Sequence, residues 1–294
     1  MMKRSLGEKV FQGINVFLMT IVISVILIPL IHIFSISVSD RISVTTLQVS
    51  LWPKGFNMDA YEKIITNSVF QRSMFNTIGI TIAGTVLSII VITMVSYALS
   101  KTYFFGKKLV TYFFVITMYF SGGLIPTYLL VTNLLKLGNT YLAYILPSIV
   151  NVFYIIVVRS QIEAVPHDLI DSGFIDGANE FRVLFSIVLP VISPTVAAIS
   201  MFIALGYWNM WYPVLLYSTQ KNMWTLQYYL RSIVFEKELE NTLQNITEII
   251  GSDKIPPQNY QMASIVLVAL PIVAIYPFVQ KYFVKGLMAG SVKG

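Results

Sequence analysis

Residues 74–100 read MFNTIGITIAGTVLSIIVITMVSYALS, twenty-seven positions without a Lys, Arg, Asp or Glu. At 1.5 Å per residue, a helix of this length crosses the ~30 Å of hydrocarbon in a bilayer. Five more stretches have the same character: 14–34, 109–133, 139–158, 185–208 and 261–280. The chain's 20 basic and 14 acidic residues all fall outside these six windows. A charge at the bilayer centre costs at least ~2.5–3.5 kcal/mol on insertion scales, so the charges themselves mark the boundaries. The pattern predicts an all-α, polytopic membrane protein with six transmembrane helices. Residues 14–283 form the membrane domain, between an N-terminus of 1–13 and a tail of 284–294.

Composition agrees. Hydrophobic residues make up 56% of the 294-residue chain and charged residues 12%, against roughly 25% charged in soluble domains. The absence of cysteine excludes disulfides, thiolate metal sites and a cysteine nucleophile. His32 and His167 are too far apart in sequence to suggest a metal site. The formal charge of +6 reads as basic loops at the cytoplasmic face rather than as nucleic-acid binding. Lys3, Arg4 and Lys9 precede a first apolar run that is too long for a 7–15-residue signal core, so it reads as an uncleaved anchor.

Orientation follows the short segments, where basic residues count most. Lys101, Lys107, Lys108, Arg159, Arg182, Lys281 and Lys285 join the N-terminal cluster on one side. Both termini are therefore expected in the cytoplasm, with the long segments 35–73 and 209–260 outside. No ionisable residue lies within a span. Ion-coupled carriers usually keep such residues at membrane depth as relays, so the energy for any transport is expected from elsewhere.

The segment 160–185 is unusual for a short aqueous connection. Pro166 and Asp168 suit the first turn of a helix, while Gly173 and Asp176-Gly177 permit a change of direction. The expectation is a short helix, a turn and a second helix. Leu169, Ile170, Phe174 and Ile175 are apolar side chains that need cover, either from the ends of the spans or from another protein. The residues alone leave that choice open.

Pro166, Leu169, Ile175-Asp176-Gly177-Ala178, Ile187, Leu189-Pro190 and Pro194 resemble the "EAA loop" of type I ABC importer permeases. The name-giving Glu-Ala-Ala is replaced here by Asp171-Ser172-Gly173. Asn76-Thr77, Tyr97-Ala98-Leu99-Ser100 and the ending from Gln280 are similar to the carbohydrate branch. Phe120-Ser121-Gly122-Gly123-Leu124-Ile125-Pro126-Thr127-Tyr128 is similar to the sub-branch importing oligosaccharides from plant or algal polysaccharides. The resemblance implies the type I ABC importer transmembrane fold. It further implies that 163–185 is a coupling helix seated in a cleft of a cytoplasmic ATPase dimer. Pro166, Asp168, Leu169, Asp171, Gly173, Phe174, Asp176, Gly177 and Ala178 are its coupling residues. The implied partners are a second, similar permease subunit, the ATPase, an extracellular sugar-binding protein and the lipid membrane.

The sequence contains no G-x-x-x-x-G-K-[ST] phosphate loop. The chain is expected to be no enzyme and to bind no cofactor, with ATP and magnesium held by the partner ATPase. An uncharged sugar path wants aromatic faces, amides and hydroxyls. Trp208, Asn209, Trp211 and Tyr212, beside Tyr207, form one candidate cluster. Asn151 and Tyr154 in the fourth span, with Tyr119 in the third, form another. An aromatic belt at the membrane interface is the blander account of the first cluster, and an interhelical hydrogen bond that of Asn151. Gly122-Gly123, Pro126, Pro190 and Pro194 interrupt the third and fifth spans. The rival readings are an ion-coupled secondary transporter, an ABC permease for a non-sugar solute, and a membrane scaffold or sensor.

Overall fold

The structure is a computed structural model that describes residues 6–243 and 257–291. Among these residues it contains helices and no strand. In chain order the α-helices are α1 (Leu6–Ser37), α2 (Arg41–Thr45), α3 (Asp59–Ile65), α4 (Ser68–Ser100), α5 (Lys107–Tyr119), α6 (Leu124–Leu129) and α7 (Leu142–Ile145). They continue with α8 (Val152–Glu163), α9 (His167–Ile175), α10 (Glu180–Arg182), α11 (Leu189–Val191), α12 (Ser193–Trp208), α13 (Tyr212–Tyr217), α14 (Leu226–Leu243) and α15 (Pro257–Ser291). Leu130–Leu134 and Val183–Val188 are π-helical.

Three helices are long and apolar enough to cross a membrane, and three bent pairs bring the total to six. Breaks are expected from the sequence in the third and fifth spans, and the structure adds one in the fourth. Lys107–Tyr119 and Leu124–Leu134 meet at 114°, Leu142–Ser148 and Val152–Glu163 at 52°, and Glu180–Val191 and Ser193–Trp208 at 88°. The first break falls at Gly123, whose φ of +87° suits a residue without a β-carbon. The third falls at Ile192, between Pro190 and Pro194. The second break, at 149–151, has no internal glycine to announce it. The helices also outrun the apolar windows: α1 begins at Leu6, and α15 continues to Ser291 through most of the expected tail.

The chain divides into two compact units, the described parts of Met1–Asn67 with Leu230–Pro271, and of Ser68–Tyr229 with Ile272–Gly294. In the first, the segment after α1 is tied down by side chains. Asp40 caps α2 by accepting from the Ser43 amide, and Ser37 and Tyr61 share a buried hydrogen bond of 2.7 Å. Asn259 donates to the carbonyls of Ile36 and Ser39, both at 2.9 Å. None of the side chains in the apolar window of α1 is buried. A stretch apolar all round and uncovered by the described residues fits a lipid or protein solvent.

The second unit is built on α4, which packs closely against both α8 and α12. One stripe of α4 is small and polar: Ser73, Thr77, Gly84, Ser88 and Ser96 are buried along it. Small residues let helix backbones approach closely where lipid offers no hydrophobic drive for association. At Gly84 a β-carbon would lie 2.5 Å from the Tyr207 ring of α12. The Tyr207 hydroxyl is 3.3 Å from Ser88 Oγ and donates to the Ile145 carbonyl at 3.3 Å.

Segment 209–243 is largely helical. It carries α13, a 3₁₀ turn at Lys221–Met223 and α14. The amide of Asn76 donates to the carbonyls of Asn222 at 2.7 Å and Trp224 at 3.0 Å, and accepts from Tyr141 at 2.9 Å. Thr77 Oγ1 accepts from the Leu226 amide at 2.8 Å. The side chains of Glu236, Glu238 and Glu240, and residues Glu248 and Asp253 entirely, lie outside the described residues.

Gly84→Ala should destabilise the detergent-solubilised protein by about 1–3 kcal/mol, because a rigid, buried ring must move. Gly79→Ala, with nothing within 4 Å of the new methyl, should be neutral or stabilising by up to ~1 kcal/mol. Thermal unfolding of the two variants side by side checks the contrast.

Candidate functional site

Pro166 stands at the N-cap of α9 rather than in its first turn, with ψ of 129° and its carbonyl accepting from the Leu169 amide at 3.2 Å. Asp168 occupies the first turn, at the positive end of the helix dipole. The turn after α9 closes through the amides of Gly177 on Phe174 and Ala178 on Gly173, both at 3.0 Å. Gly177 has φ +78°, a conformation that L side chains resist. Asn179 then caps the next helix by accepting from the Arg182 amide at 2.9 Å. The expected helix–turn–helix is therefore present.

Gly173 does not make the turn. It is buried in α9 against the π-helix Val183–Val188, and its β-carbon would lie 2.4 Å from Ile187 Cδ1. Ala178 and Ile170 pack half-buried against the same core. Leu169 (45% exposed) and Ile175 (85%) face outward with Asp171 and Asp176, while Phe174 is partly covered. The segment thus divides into a face fixed to the bundle and an outward face whose Leu169 and Ile175 are left uncovered by the described residues.

Two charged clusters fasten this end of the bundle, and sequence reading missed both. In one, Lys107 lies 3.3 Å and Arg159 2.9 Å from Glu163, and Arg159 donates to Thr111 at 3.1 Å, joining α5 to α8. In the other, Glu180 Oε2 accepts from Tyr97 at 2.5 Å and lies 3.0 Å from Lys101, and Oε1 accepts from Tyr103 at 2.5 Å. Burial raises the pKa of both carboxyls. The hydrogen bonds and charges of Arg159 and Lys107 outweigh it at Glu163, and those of Tyr103, Tyr97 and Lys101 outweigh it at Glu180. Both acids end below their ordinary value of 4.5. The hydrogen bond to Glu180 pushes the Tyr103 phenol up.

The predicted path residues separate. Asn151 is the N-cap of α8 rather than a mid-helix amide, and its side chain accepts from the amides of Phe153 at 3.0 Å and Tyr154 at 3.4 Å. Among the described residues its bonds are local to the start of α8, where the span is broken. Asn151 and Tyr154 line a cavity of about 210 Å³ with Ser88, Ser148, Tyr207 and Phe202. Irregular backbone at membrane depth is tolerated where it lines such a cavity, which is where the 149–151 break lies. Trp208 is buried outside that lining. Asn209 bonds the Leu205 carbonyl at 2.9 Å and Gln227 at 3.0 Å. Trp211 and Tyr212 stack edge to face at 5.4 Å, and Tyr119 is 80% exposed at the end of α5.

A family model described as "Binding-protein-dependent transport system inner membrane component" matches residues 100–288. The chain belongs to that family. It is a permease subunit of an ABC transporter and not itself an enzyme. The permease is 36% identical over 268 residues to the polygalacturonan/rhamnogalacturonan transport system permease protein YtcP of Bacillus subtilis strain 168, covering 91% of this chain and 92% of that one. It is 34% identical over 297 residues to Protein LplC of the same strain, covering 100% and 98%. Among solved structures it matches a chain from a bacterial ABC transporter involved in the import of the acidic polysaccharide alginate. The TM-score is 0.86 at 28% identity, covering 96% of this chain and 100% of that one.

The two carboxylates give the permease a defined pH dependence. Their folded pKa values are lowered, so their contribution is fully present above 4.5 and is lost as pH falls through the lowered values. The thermal midpoint should be insensitive to these groups at neutral pH and fall below 4.5. In a Glu163→Gln, Glu180→Gln double variant that acid limb should be shallower.

Proposed function

We propose that this permease subunit passes an oligosaccharide derived from a plant or algal polysaccharide into the cytoplasm. A separate ATPase docked on segment 160–185 drives it. The observation carrying the docking half is the outward face of α9. Leu169 and Ile175 stay exposed while Gly173, Ile170 and Ala178 fix the opposite face to the bundle. Exposed apolar side chains on a rigidly seated helix fit a partner surface. Both termini are then cytoplasmic, and the outer segment 209–260 meets an extracellular sugar-binding protein. ATP and magnesium belong to the ATPase.

The sugar half rests on the cavity together with the substrates named for YtcP and the alginate transporter. Its lining offers the Asn151 amide, the hydroxyls of Ser88, Ser148, Tyr154 and Tyr207 and aromatic rings, with no charged side chain among the described residues. At about 210 Å³ it falls short of the ~300–1,000 Å³ of a complete small-molecule pocket. A second permease subunit across the path supplies the rest. Acidic sugar units would find their positive charge outside the cavity, from residues such as Lys221 and Arg231.

Ile175→Glu leaves folding intact, since the side chain is 85% exposed, and should reduce the ATPase recovered with the purified permease at least ~10-fold, a loss of about 1.4 kcal/mol. Full recovery of the ATPase with this variant would sink the docking assignment. Tyr154→Ala should retain the ATPase and lower oligogalacturonate uptake into proteoliposomes several-fold. Uptake driven by an ion gradient without ATP would instead favour a secondary carrier.

A further inference from the structure

Glu180 lies just beyond the turn that ends α9, and both its carboxylate oxygens are taken by one short stretch at the end of α4. Tyr97 and Lys101 hold Oε2, and Tyr103 holds Oε1. Lys101 is enclosed further. Its ammonium sits 4.2 Å from the Tyr97 ring centroid, 6.0 Å from that of Tyr103 and 5.1 Å from that of Phe174, and its side chain is only 14% exposed. Phe174 belongs to the last turn of α9. The stretch 97–103 therefore grips the segment at two places, before the Gly177 turn through Phe174 and after it through Glu180.

An ordinary surface ion pair constrains one distance and contributes little. A carboxylate bonded through both oxygens also fixes orientation, and charge-assisted bonds are the stronger class. The other links from α9 to the bundle are apolar packing, Gly173 against Ile187 and the half-buried Ile170 and Ala178, which fix position but supply no directional bond.

We propose that Glu180, clamped by Tyr97, Lys101 and Tyr103, is the positioning residue that makes α9 and the end of α4 move as one body. A displacement of the docking segment then passes directly into the long helix beside the cavity. This rests on the reading that segment 160–185 receives the ATPase.

The chain has no cysteine, so spin labels placed at Ala98→Cys on α4 and His167→Cys on α9, both exposed positions, report this link alone. The test uses the whole complex in lipid, nucleotide-free and trapped with ATP and vanadate. In the parent the label distance should change by less than about 2 Å between the two states, the scale of a packed-helix shift. In Glu180→Ala, with the ATPase still bound, it should broaden and shift by more than that. Tyr103→Phe, which removes one hydroxyl from an exposed side chain, should give an intermediate change. An unchanged distance in Glu180→Ala with the ATPase bound overturns the joint and leaves the docking reading standing. Loss of the ATPase from Glu180→Ala alone also overturns it, making Glu180 a docking contact. Failure of the parent to retain an ATPase sinks the docking reading and the joint together.

Discussion

The close approach of α4 and α12 at Gly84 is the constraint on which the second unit depends. The Tyr207 ring fills the space that a β-carbon would occupy, and its hydroxyl reaches both Ser88 and the carbonyl of Ile145. In lipid, helices gain nothing from hiding apolar surface from apolar solvent, so packing and hydrogen bonds must hold them. A small-residue stripe on one uncharged helix answers that need. The buried hydroxyl of Ser96, bonded to the carbonyl of Ile155 at 2.9 Å, extends the same device to α8. Bulk on this stripe would separate three spans at once and reshape the cavity that Ser88, Tyr207 and Tyr154 share.

Hydropathy made the spans legible because the bilayer leaves no partner for a charge or an open backbone group, so every crossing segment must declare itself. The outward face of α9 was legible for a related reason: apolar residues in an aqueous connection stand out. The breaks were only partly legible. Gly123 and the Pro190–Pro194 pair announced two of them, but the third depends on Asn151, which resembles a buried mid-span amide until its own helix is seen to start there. Gly173 is an instructive misreading, since burial against Ile187, and not freedom to turn, explains its missing side chain.

What stayed hidden was long-range pairing. Glu180 meets partners 77 and 83 residues earlier, and Asn76 meets carbonyls 146 and 148 residues later. No local period or spacing encodes such contacts. Asn76-Thr77 carried a family resemblance without a reason. The structure supplies one: the two side chains hold the 222–226 segment to the start of α4.

These two pins give α4 its mechanical character. From Asn76 to Tyr97 is twenty-one residues, about 30 Å at 1.5 Å per residue, close to the thickness of the hydrocarbon core. The 222–226 segment is fastened at one end of that length and Glu180 at the other, with the cavity between them. The helix contains no proline, so it lacks the common cause of a kink. The two spans packed against it are both broken, at 149–151 and at Ile192. Among these three packed spans α4 is thus the unbroken one. Under the proposal that an ATPase docks on segment 160–185, that arrangement carries a displacement at the Glu180 end to both the cavity wall and the 222–226 segment.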